Sequence, residues 1–152
     1  MFHRIVVGLD GSAPSRRALG LALRLARHHR AEALAVHVSR DPVGRLVGAA
    51  ETGAMLLSGA APPPLAPAPT RHAAELVDGA VAELRAGGVR AGGRIIPAID
   101  GVGRALVVAA EDRGADLIVI GTRGRSQLAG LVLGSTAYHV VHLASCPVLV
   151  VP

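Results

Sequence analysis

Short apolar runs alternate along the chain with longer stretches in which apolar residues return every three or four positions. The first run, Ile5-Val6-Val7-Gly8-Leu9, is β-branched and ends at Asp10-Gly11-Ser12. Leu19, Ala22, Leu23 and Ala26 follow at helical spacing, with Ser12 as N-cap and Pro14 in the first turn. Ala33 to Val38 supplies a second buried strand. Thr70 starts a second helix, with Ala73, Leu76, Val77, Ala80 and Leu84 on one side, which Gly87-Gly88 stops. Val89 to Pro97 reads as a third strand, weakened by Gly92 and Gly93. Asp100 is placed to cap a helix that faces Val102, Ala105, Leu106 and Ala109 inward. Gly114-Ala115-Asp116 then leads into the run Leu117-Ile118-Val119-Ile120. A last helix is predicted over about Ser135 to Ala144, and a last strand over Val148 to Val151.

Strands alternate with helices, and the strands are apolar throughout instead of every second residue, as in a parallel sheet covered on both faces. With right-handed crossovers the pattern predicts an α/β doubly wound sheet. Ligands of such sheets bind beyond the carboxyl ends of the strands, where the winding reverses. Strands 1 and 4 straddle that point, so Asp10 and Gly121 should become neighbours. Residues 41–69 break the rhythm with Gly, Ala and Pro, including Pro62-Pro63-Pro64, and are expected to form a mobile surface loop.

At 152 residues the chain fits one domain, 1–152, with enough aliphatic side chains for a core. Its aromatic residues are Phe2 and Tyr138, too few to stack the bases of single-stranded nucleic acid. The net charge of +5 comes from scattered arginines with no dense basic run, so neither nucleic acid nor a membrane surface is expected as a partner. All sixteen basic residues are arginine. Lysine nucleophiles and the phosphate lysine of a Walker loop are therefore excluded. The single cysteine, Cys146, sits in an apolar ending and reads as core. No secretory leader and no apolar span of membrane length is evident, so a soluble, cytoplasmic protein is expected.

The candidate chemistry lies between Gly121 and Thr136. Gly121 and Gly124 stand three apart, nine residues intervene, and Gly134-Ser135-Thr136 opens the last helix. Glycines there would let a phosphate approach the backbone, Gly134 would let the chain turn into the helix, and Ser135 and Thr136 would add hydroxyls and free amides at a positive helix end. Together they form an anion cradle. Arg123 and Arg125 either reach phosphate oxygens or point into solvent, and Ser126 serves either the turn or a phosphate.

These residues carry a resemblance. The spacing G-x2-G-x9-G-[ST] after the fourth strand, the opening Ile-Val-Val-Gly-Leu-Asp-Gly-Ser, the block Gly-Ala-Asp-Leu-Ile-Val-Ile-Gly and the ending Cys-Pro-Val-Leu-Val-Val are similar to those of the ATP-binding universal stress proteins. The resemblance implies a Rossmann-like five-stranded sheet in the order 3-2-1-4-5 and a homodimer joined through the last strand. It implies ATP, with or without Mg²⁺, over strands 1, 2 and 4. By position, Asp10, with Gly11 beside it, would meet ribose and phosphates, and Val38 would line the adenine. Gly121 and Gly124 would border ribose and phosphates, and Gly134, Ser135 and Thr136 would hold phosphates. Asp10 could equally cap its own turn, and Val38 could be plain core.

Hydrolysis needs a group that orients or deprotonates water and a metal for the leaving phosphate. Gln127 is the only loop candidate, and Asp10 could hold Mg²⁺ through the phosphates without supplying a base. His139 and His142 lie one helical turn apart but lack complementary ligands, and His28 and His29 answer the dipole of the first helix. The expected function is therefore regulatory binding of an adenine nucleotide with little turnover. A nucleotide-free dimeric interaction protein and a slow ATPase stand as the alternatives.

Overall fold

The computed structural model describes residues 1–40, 70–122 and 133–152. Its elements are β1 (Arg4–Leu9), α1 (Ala13–His29), β2 (Glu32–Ser39), α2 (Arg71–Ala86), β3 (Ala91–Pro97), α3 (Val102–Asp112), β4 (Leu117–Gly121), α4 (Ser135–Leu143) and β5 (Val148–Val151). The five strands are all parallel and ordered β3-β2-β1-β4-β5. The chain therefore winds outward to β3, returns past β1, and winds the other way through β4 to β5. The sheet and its order are those expected from the residues and from the resemblance.

Alternate strand residues feed two cores. Ile5, Val7 and Leu9 pack with Ala33, Ala35, Leu117 and Val119 under α1 and α2, through Ala18, Ala22, Val77 and Leu84. Val6 joins Leu34, Val36, Ile118 and Ile120 under α3 and α4, through Leu106, Ala110, Ala137 and Val140. Burial on both faces is why the strands read as continuous apolar runs. Small residues set the spacing of the layers. A Cβ on Gly93 would lie 2.3 Å from Cγ1 of Val77, so the glycine that weakens β3 as a strand is what lets α2 lie against it.

Two boundaries differ from the sequence pattern. The third helix is capped at Gly101, whose φ of 94° is the left-handed geometry that glycine tolerates, and no side chain bonds its first turn. Asp100 stands one residue too early and instead faces Arg104 at 4.0 Å on the surface. The last helix stops at Leu143, with Ala144 already extended. Ser12 and Thr70 do cap α1 and α2, accepting from the amides of Ser15 and Ala73. Cys146 is half-buried beside the α3/α4 core, and burial raises its thiol pKa, aided by the charges of Asp116 and Glu111. A thiol so held is a poor nucleophile. The predicted loop 41–69 lies outside the described residues.

Candidate functional site

The winding reversal leaves a cavity of about 490 Å³ at the carboxyl ends of β1, β2 and β4. One wall is apolar: Val36 and Val38 from β2, Val102 and Leu106 from α3, Ile120 from β4 and Ala137 from α4. Gly8 forms part of the floor, where a Cβ would stand 2.9 Å from Leu106 and 3.0 Å from Ile120. The lining also includes the polar residues Asp10, Ser15, His37 and Arg40. The far end is formed by Gly121, Thr122, Gly134, Ser135 and Thr136.

Asp10 and Gly121 both line the cavity, as the topology predicted. Asp10 lines the cavity, and its Oδ1 accepts from the amide of Ser12 at 2.9 Å, the bond of a residue that caps its own turn. Gly11 shapes this turn with a φ of 81°, while its carbonyl accepts from Arg16 at 2.7 Å; it is not among the lining residues. Val38 is both core, 8% exposed, and cavity wall.

The glycines at the far end work differently from the expectation. Gly121 is not in the left-handed region; a Cβ on it would lie 2.8 Å from Cβ of Pro14 and 2.9 Å from the backbone of Pro14 and Ser15. Its bareness lets the first turn of α1 close against β4. Gly134 is extended, with φ −72° and ψ 157°, and its amide donates to the carbonyl of Thr122 at 2.7 Å. That amide is spent on joining the chain on either side of residues 123–132. The free donors therefore begin one residue later. Among the described residues no side chain caps α4, so the first-turn amides of Ser135, Thr136 and Ala137 stand at the positive end of the helix beside two hydroxyls. An apolar slot leading to such a helix start can take a flat apolar group in the slot and an anion at α4. Arg123, Gly124 and Arg125, with Ser126 and Gln127, lie outside the described residues.

Four polar lining residues escaped the sequence reading. Ser15 is the buried polar residue of α1, its hydroxyl donating to the carbonyl of Gly8 at 3.4 Å and accepting from the amide of Asp10 at 3.2 Å. Its place on the inward stripe with Ala18, Ala22 and Ala26 was the available signal. His37 interrupts an otherwise apolar strand, which was its signal; its Nδ1 lies 2.8 Å from the carbonyl of Leu9. Thr122 and Arg40 flank strand ends and gave none. His139 and His142 are not brought together as ligands. His139 donates from Nδ1 to the carbonyl of Ser135, and His142 packs edge-on against Tyr138. Among the described residues no group of three His, Cys, Asp or Glu could hold a metal.

A doubly wound sheet with its cleft at the switch point defines the class of α/β proteins that bind ligands across the strand ends. Within that class the assignment is specific. The model of the universal stress protein family matches residues 1–152, and the chain belongs to that family. It is similar to universal stress protein YxiE of Bacillus subtilis, 30% identical over 151 residues that span 99% of both chains. Among solved structures it resembles a universal stress protein in complex with cAMP, at 26% identity and TM-score 0.67, over 99% of this chain and 97% of the other. The fold also matches the universal stress protein from Archaeoglobus fulgidus in complex with dAMP, at 21% identity and TM-score 0.67, over 99% and 98%.

Proposed function

We propose that the chain binds an adenine nucleotide, ATP foremost, as a regulatory ligand with little or no turnover. The observation that carries this reading is the start of α4, without a side-chain cap among the described residues, whose amides and hydroxyls border the apolar part of the cavity. The similar protein solved with cAMP supports the adenine part. In this reading Val38 lines the base, Asp10 meets the ribose, and Ser135 and Thr136 hold phosphate. Gly121 keeps α1 close to that end of the cleft, Gly134 carries the chain into α4, and Gly11 shapes the turn that presents Asp10. Arg123, Gly124 and Arg125 complete the phosphate side, and Mg²⁺ would come with the triphosphate, within reach of Asp10. The residues described around α4 donate hydrogen bonds and include no carboxylate, which suits holding phosphate better than cutting it.

We further propose a homodimer joined through β5. This strand closes one edge of the sheet with four apolar, half-buried residues, a surface that invites pairing.

Titration calorimetry with ATP, AMP, cAMP and GTP, with and without Mg²⁺, tests the nucleotide reading. Adenine nucleotides should bind and raise the melting temperature. Replacing Thr136 by Val and Ser135 by Ala together should weaken ATP by about tenfold or more at unchanged melting temperature. No binding by any of the four at millimolar concentration would overturn the reading.

A further inference from the structure

The arginines that stand scattered in the sequence are not scattered in space. Five of the sixteen, Arg16, Arg17, Arg24, Arg27 and Arg30, lie on α1 or at its C-cap, and all five are exposed. Residues 13–30 contain no Asp or Glu, and the other eleven arginines equal the eleven acidic residues in number. The net charge of +5 is therefore the charge of this one helix and its cap. We propose that the outer face of α1 is a docking surface for double-stranded DNA, held through the phosphate backbone. This reverses, for nucleic acid, the expectation drawn from the spacing of arginines along the chain.

Helical geometry sets these charges in two rows. Arg16 and Arg27 are eleven residues apart, close to three turns, and Arg17 and Arg24 are seven apart, close to two. The rows therefore run roughly 16 Å and 10 Å along one face. Between them stand Ala13 and Gly20, and a Cβ on Gly20 would meet nothing within 4 Å. The face is a bare ridge flanked by guanidinium groups, and no need of the fold accounts for it. Among the described residues every ion pair lies elsewhere. Arg16 and Arg17 donate to the carbonyls of Gly11 and Pro152 near the positive end of the helix, where a carboxylate would be the stabilising choice. Arg30 holds the left-handed C-cap, with φ 55°, where glycine is the usual residue, so a guanidinium is kept there at a conformational cost.

The composition of the face selects the partner. None of the large apolar side chains exposed among the described residues lies on α1; Val108, Tyr138, Val141 and Leu143 belong to α3 and α4, on the opposite face of the sheet. A protein partner would find no apolar centre to bury against α1, and a bilayer would find nothing to take into its acyl boundary. A phosphate backbone needs neither, because its binding draws on the release of counterions. The guanidinium fork matches phosphate oxygens. A helix with its side chains is about 10–12 Å across, the width of the major groove of B-form DNA, whereas the groove of A-form RNA is deep and narrow. α1 carries no Asn, Gln, Phe, Tyr or Trp to read adenine or to stack a base, which leaves phosphates as the common target.

The experiment is fluorescence anisotropy of a short labelled DNA duplex across a series of salt concentrations. The wild type should bind at about 50 mM salt, and log Kd should rise with log salt at a slope of about 4, as for four or five phosphate contacts. Arg24→Gln together with Arg27→Gln removes two exposed charges that no ion pair holds. This double variant should bind about tenfold more weakly, with the slope lowered by about two, at unchanged melting temperature. Arg90→Gln together with Arg104→Gln removes the same charge from other surfaces and should leave the slope as it is. Should the first double variant fail to fold, Arg30→Gly, which relieves the left-handed cap and should melt no lower than the wild type, must still bind more weakly. Equal losses in the two double variants would show attraction by the whole molecule and overturn the assignment to α1. So would a wild type that does not bind the duplex at about 50 mM salt, or one that binds vesicles of phosphatidylglycerol and phosphatidylcholine in equal parts more tightly than DNA.

Discussion

At Gly121 one absent methyl group governs how a helix sits on the sheet. The space a side chain would need is filled by Pro14 and the amide of Ser15, not by a ligand. Gly121→Val should therefore cost about 2 kcal/mol of stability by overpacking, measured by urea denaturation, before any effect on nucleotide is considered. A variant as stable as wild type would show that α1 shifts at no cost. The role was not legible in the sequence, because glycine spacing reveals that a side chain is missing and not which neighbour requires it. That neighbour lies at the other end of the chain. Asp10 was legible because a carboxylate ending an apolar strand at a winding reversal has few other places to be. His37 was overlooked because the strand's apolar rhythm drew attention to Val38 beside it.

Among the elements, helix starts divide into two kinds. The helices on one face, α1 and α2, open with hydroxyl caps, and those on the other, α3 and α4, open at glycines with no side-chain cap. The second pair contributes its first residues, Val102 and Ser135, to the cavity, and α1 contributes Ser15 from its first turn. Thr70→Ala should lower stability by about 1 kcal/mol in thermal or urea unfolding and leave nucleotide affinity unchanged. The fit of α2 to β3 makes a second, sharper test. Gly93→Ala should destabilise by about 1–3 kcal/mol, and adding Val77→Ala should restore part of the loss, since the two side chains compete for one space. Caps and strands were readable in the sequence because Ser, Thr and β-branched runs act locally. Gly101 was not, since a left-handed residue shifts a helix start by one position without altering the apolar pattern.

For the molecule as a whole, two surfaces matter beyond the cleft. The β5 edge predicts a dimer by sedimentation, and Val150→Pro, which removes a donor from that strand, should shift the equilibrium toward monomer. The other surface joins the ends of the sheet's strands at Asp116, which accepts from the amides of His3 at 2.7 Å and Arg4 at 3.0 Å and from the His3 ring at 3.3 Å. Burial alone would raise the pKa of Asp116; those amides and the imidazole outweigh it and hold the carboxylate below its usual value of 3.8. A depressed carboxylate pKa stabilises the fold above the unfolded-state value, and that contribution is lost as pH falls through the folded-state value. Asp116→Asn should accordingly be less stable than wild type at neutral pH, and the gap should close below about pH 4 in a pH series of urea midpoints. The same contacts have a temporal meaning. Arg4 and Asp116 are 112 residues apart, and β1, the middle strand, is synthesised long before β4, its second partner. A nascent chain can assemble β1, α1 and β2 early, yet one side of its central strand must wait for Leu117 to leave the ribosome. Any chain stalled or cut before that residue carries β1 as an open edge, a row of bare amides and carbonyls that is a template for the wrong strand to join.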